Sequence, residues 1–90
     1  MPFETAQFSL TQGVRVNIAT AKATAQHICI HNHEHQLGKE IFIGDSTVTS
    51  TTGIHAVATQ TSVITLNPGT DLWAITQEAS GAVLHVAVSY

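Results

Sequence analysis

Three of the six histidines in this 90-residue chain, His31, His33 and His35, fall within five consecutive positions. Imidazole is the side chain most often found on transition metals, and it titrates near neutral pH. An extended chain turns alternate residues to the same side, so histidines at i, i+2 and i+4 would present three rings on one face. Their Cβ atoms would stand about 6.5–7 Å apart, and imidazole is long enough for two such rings to close on one ion. His27 and Cys29 continue the row on its N-terminal side. Two readings stay open on these residues alone: a metal site, and a polar, solvated hairpin end.

The elements that must position this row are legible on either side of it. Ile28 and Ile30 alternate with His27, Cys29 and His31 at the period of two that a strand imposes, giving a strand over Gln26–His31. Glu40-Ile41-Phe42-Ile43 is a second strand, stopped by Gly44-Asp45, with Gly38 offering a turn between the two. Further along, Thr61–Leu66, Asp71–Gln77 and Ala82–Val88 read as strands, separated by the turn Asn67-Pro68-Gly69-Thr70 and by Ser80-Gly81. Before the row, Gly13 leads into the alternation Val14-Arg15-Val16-Asn17-Ile18, and Ala19–Ala25 is expected to be loop running into strand. Ser46–Ser50 reads as a brief strand or an irregular loop, and Ile54–Gln60 as irregular. Residues 1–12 form an N-terminal arm or edge strand, Phe3 to Leu10, ahead of a single β domain at 13–90. Seven or eight short strands without a helix predict an antiparallel β-sandwich or jelly-roll-like barrel.

Composition narrows the function further. Only 10% of the residues are charged, against about 25% in ordinary soluble domains. Thr is the commonest residue, and Thr, Ser, Asn and Gln supply most of the polarity. The three basic residues, Arg15, Lys22 and Lys39, are scattered, so there is no footprint for nucleic acid. No apolar run reaches the roughly 18 residues of a membrane-spanning helix, and the first residues lack the pattern of a secretory signal. The expectation is a soluble protein made in a cytoplasm. Cys29 is the only cysteine, so no intrachain disulfide forms, and within an apolar strand it is expected to be a small buried hydrophobe. Ile41-Phe42-Ile43, Leu72-Trp73-Ala74-Ile75 and Val83-Leu84 with Val86-Ala87-Val88 are apolar on both faces. A second buried face calls for a cover, and the expected cover is another copy of the chain, the alternative being that both faces are buried within one tight barrel.

No nucleophile and base are paired in the sequence. It holds no Gly-x-Ser-x-Gly elbow, no phosphate-binding Gly-rich loop and no Cys-x-x-Cys. The run 49–53 reads as a surface loop and Trp73 as core. His33-x-His35 followed by Glu40, with His85 as a later fourth ligand, loosely resembles the metal-binding pattern of cupins. Such a site would draw on His31, His33 and His35 with Glu40 or His85. The pattern departs from that family at Lys39, beside the carboxylate, and at Gly44, which follows too soon. No cofactor, catalytic residue or metal ligand is assigned from the sequence.

A second resemblance runs along most of the chain. Ile41-Phe42-Ile43-Gly44-Asp45-Ser46, then Val48-Thr49-Ser50-Thr51-Thr52-Gly53, then Leu66-Asn67-Pro68-Gly69-Thr70-Asp71-Leu72-Trp73-Ala74-Ile75 resembles small accessory virion proteins of tailed bacteriophages. The likeness spans roughly residues 25–88, and its motifs are turns and strands. It implies a non-enzymatic capsid decoration protein, or a similar head or tail component, that is all-β and oligomeric, often trimeric. Its partners would be itself and the major capsid or other virion proteins, and its location the virion. A small cupin-like metalloprotein and a receptor- or glycan-binding β-module are the competing expectations.

Overall fold

In the computed structural model, which describes residues 3–32, 39–56 and 61–90, eight strands account for the regular structure. They are β1 (Phe3–Leu10), β2 (Val16–Ala19), β3 (Gln26–Asn32), β4 (Ile41–Gly44), β5 (Ile54–Ala56), β6 (Thr61–Leu66), β7 (Leu72–Thr76) and β8 (Ala82–Ser89). Sheet I has the order β1-β8-β3-β6 and sheet II the order β2-β7-β4-β5, with all neighbours antiparallel. The pairs β1·β8, β2·β7, β3·β6 and β4·β5 are nested, as in one long hairpin rolled over on itself. That is the jelly-roll arrangement of two four-stranded sheets. The all-β sandwich expected from the sequence is the fold.

Period-two patterning sets the core. On β3, Gln26, Ile28, Ile30 and Asn32 point inward, and on β8 so do Ala82, Leu84, Val86 and Val88. They meet Ile41, Ile43 and Ala74 of sheet II in one apolar cluster. Two fully buried polar side chains tie strand ends together. Asn32 Nδ2 donates to the Ala56 carbonyl at 2.9 Å and the Lys39 carbonyl at 3.2 Å, joining β3 to the far sheet. Thr76 Oγ1 donates to the Glu40 carbonyl at 2.7 Å and accepts from the Glu78 amide at 3.2 Å. Both satisfy groups that would otherwise be buried without a partner.

Five expectations need correction. β3 and β4 lie in different sheets, so the connection between them is a crossover and not a hairpin. Ile54–Ala56, expected to be irregular, is β5, held by pairing to β4 despite its short apolar pattern. Cys29 is exposed. The alternation that buries Ile28 and Ile30 leaves the odd positions of β3 outside.

The fourth concerns the doubly apolar strands. On the outer side of sheet II, Ile75 is only 3% exposed and the cover is intrachain. Residues 45–53 fold back over that face and bury Val48 to 2%. Gly44 and Gly53 let the loop approach, since a Cβ on either would stand 2.8 Å from a Val48 methyl. Arg15 Nε clamps the loop from the other side, donating to the Val48 carbonyl at 2.7 Å. At the loop's start, Asp45 Oδ1 accepts from the Thr47 hydroxyl at 2.7 Å and amide at 2.9 Å, which holds its carboxyl below the usual range. Trp73 lies half-buried on this outer side, opposite Gly44, rather than in the inter-sheet core. Sheet II therefore gives no reason to invoke a second subunit.

Candidate functional site

The outer side of sheet I gathers most of the chemistry the sequence offered. Strand register lays it out in three rows across β1, β8, β3 and β6. The first is Phe3–Ser89–His27–Thr65, the second Thr5–Ala87–Cys29–Val63, the third Gln7–His85–His31–Thr61. None of these residues is Asp, Glu, Lys or Arg. Among the described residues, the fixed charges lie instead on inward positions, loops and strand ends. Lys22 and Asp71 sit in connections, Asp45 and Arg15 beside the sheet II loop, and Lys39, Glu40 and Glu78 around the crossover. Phe3 and Val63 are 66% and 68% exposed, at opposite edges of this face.

A shallow depression of about 480 Å³ occupies the middle of the face. Ala87 is its floor because it is the smallest side chain in the central row. Thr5, Gln7, Cys29, His31, Thr61 and His85 stand around it. His31 and His85 are directly opposed across β3 and β8, with ring centroids 6.4 Å apart and planes tilted by 54°. Each histidine of β3 also meets a threonine of β6. His31 Nδ1 hydrogen-bonds the Thr61 hydroxyl and His27 Nδ1 the Thr65 hydroxyl, both at 3.4 Å. The arrangement is a row of hydrogen-bonding side chains around an apolar centre.

Of the ligands foreseen for a metal, the fold brings His31 and His85 together. Both face away from the space between the sheets, so neither is aimed into the interior of the sandwich. Glu40 is exposed at the entry to β4 in the other sheet, with its amide bonded to a Glu78 carboxylate oxygen at 3.2 Å. His33 and His35 lie outside the described residues. Among the described residues, no three His, Cys, Asp or Glu side chains are grouped to hold an ion. Cys29 has Ala87 and Val63 as its cross-strand neighbours, and neither can take a proton from the thiol.

Sequence reasoning found the histidines but missed the face they belong to. The missing signal was pairwise. Each outward strand position is unremarkable alone, and its neutrality matters only once register places it beside three others. Comparison with protein-family models, curated proteins and solved structures gave no match in any of the three.

Proposed function

We propose that this chain is a non-enzymatic virion structural protein that binds an assembled capsid, with the outer face of sheet I as its contact surface. The observation carrying this reading is the three-row face without a fixed charge, bounded by exposed Phe3 and Val63. Interface centres are depleted in charged residues and enriched in aromatic ones, and burying this face would strand no Asp, Glu, Lys or Arg side chain. The resemblance of residues 25–88 to phage accessory proteins and the jelly-roll architecture support the same assignment.

The mechanism is mass action. A protein that binds only the assembled shell stabilises it in proportion to the logarithm of its concentration over its dissociation constant. Self-association would add avidity to each modest contact on a repetitive lattice. His31 and His85 serve as hydrogen-bonding groups at the centre of the contact. A cupin-like metal centre has weaker geometric support, because of the described candidate ligands only His31 and His85 come together, while Glu40 lies at the entry to the other sheet and no third ligand joins them among the described residues.

The test is co-sedimentation with assembled, undecorated capsids of tailed bacteriophages. The wild-type chain should bind saturably. Val63→Lys, which places a charge on an already exposed position, should weaken binding about tenfold or more with the fold unchanged, since an unpaired charge must then be desolvated. Failure of the wild type to bind any shell, with binding to a neutral glycan instead, would overturn the assignment.

A further inference from the structure

The strand β1 is exposed on more sides than any other in the fold. It forms one edge of sheet I and is paired along its whole length to β8, from Phe3↔Ser89 to Leu10↔Ala82, without a bulge. Its first five residues are exposed whichever way they point, and only Phe8 and Leu10 pack inward. Natural edge strands are blunted by lysines, prolines, bulges or a covering element. Phe3–Leu10 has no lysine, no proline and one charge, Glu4.

Beneath it the sandwich is open. The opposing edge strand, β2, has only four residues, so the inner side of β1 overhangs a cleft of about 410 Å³. Ala6, Phe8, Ile18, Val86 and Val88 contribute apolar wall, and Lys22 and Glu4 also line it. Lys22 is held there with its ammonium 4.5 Å above the Tyr90 ring.

We infer that β1 is a pairing edge for the β1 of a second copy, giving a two-fold dimer with a continuous eight-stranded sheet. This rests on the reading above that the chain self-associates, and it names the surface. A free strand edge offers a row of backbone donors and acceptors, which an extended chain satisfies and a compact ligand does not. A second copy fits because antiparallel pairing of a strand with itself is self-complementary. A two-fold axis normal to the sheet keeps inner residues opposite inner ones, so it must pass midway between a residue and its own copy. Centred on Ala6, it sets Phe3 opposite Ser9, Glu4 opposite Phe8 and Thr5 opposite Gln7. The two small Ala6 side chains then flank the axis, and the two Glu4 carboxylates fall on opposite sides of it. Phe8 of each copy is carried to the Glu4 end of the other's cleft, where apolar wall is exposed. The same register leaves the outer face of sheet I continuous across the dimer, with its neutral rows doubled.

Sedimentation velocity of the full chain over a concentration series tests this. The wild type should show a monomer–dimer equilibrium. Ala6→Lys, at an exposed position on the underside of β1, should raise the dissociation constant about tenfold or more by opposing two lysines. Val63→Lys, on the far edge, should leave the dimer intact, which separates this inference from the capsid contact. A trimer cannot form through an isologous contact, so a trimer would overturn the pairing while leaving the capsid assignment standing. A wild-type monomer, or an Ala6→Lys dimer as tight as wild type, would also overturn it. Should Ala6→Lys fail to fold, Ala6→Cys in a Cys29→Ser background gives the same answer. Opposed residues in an antiparallel pair are close enough for a disulfide, so mild oxidation should yield a covalent dimer, and a persistent monomer would sink the proposal.

Discussion

Leu84→Ala should destabilise the chain by about 3 kcal/mol, within the usual 2–5 kcal/mol for removing a buried leucine. Leu84 is fully buried at the centre of β8, the strand flanked by both β1 and β3 in sheet I. Its register partners are Phe8 on one side and Asn32 on the other. Asn32 is itself fixed by its bonds to the Lys39 and Ala56 carbonyls, so the surroundings cannot collapse into the space left. For a domain of this size the melting temperature should fall by roughly 12–24 °C. Val63→Ala, at 68% exposure, should by contrast stay within about 0.5 kcal/mol of wild type. Urea titration decides the matter. A Leu84→Ala loss below about 1 kcal/mol at unchanged slope would mean that the core does not centre on β8.

The second large effect comes from a pair of glycines with nearly the same backbone. Gly13 has φ 73° and Gly81 has φ 76°, the left-handed region that costs other residues about 1–2 kcal/mol. Around Gly13 there is open space, whereas a Cβ on Gly81 would collide with the backbone carbonyl of Leu10. That carbonyl belongs to a strand registered to β8 and cannot swing aside like a flexible side chain. Gly81 is held on its other side too, its amide donating to the Glu78 carbonyl at 2.9 Å and its carbonyl accepting from Lys39 Nζ at 3.0 Å. Gly13→Ala should therefore cost the strain alone, and Gly81→Ala that strain plus about 1–3 kcal/mol of overpacking. Thermal unfolding of the two variants measures the difference directly. Equal losses would show that the junction of β1 and β8 relaxes freely.

Much of this fold could be read from the chain because period two is a local signal. Gln26–His31, Thr61–Leu66 and Ala82–Val88 each carry it, and each is a strand within a residue or so of the expected bounds. The turn at Asn67–Thr70 was equally plain, and it closes with the Thr70 amide on the Asn67 carbonyl at 3.3 Å. What could not be read was partnership. Nothing local says that β3 and β4 part into different sheets, or that Val48 in a threonine-rich loop folds back over the apolar outer face of β4 and β7. Those facts depend on residues dozens of positions apart, such as Arg15 reaching the Val48 carbonyl. The candidate site is of the same kind. The shared side of His27, Cys29 and His31 was legible from their spacing, but the exposure of Cys29 and the face the three residues join are properties of four strands in register.

The nesting of the strand pairs bears on how the molecule comes into being. β4 and β5 meet across a short connection, with Ile43 opposite Ile54. Each later pair encloses the one before, until Phe3 meets Ser89. Almost every contact of the final pairs closes a long loop, and chains dominated by such contacts fold in milliseconds to seconds rather than microseconds. Until β1 and β8 pair, both Ala82–Ser89 and Phe3–Leu10 present open edges to any other chain nearby. Pairing of β1 with β8 is therefore open to exchange between molecules, so refolding yield should depend on concentration.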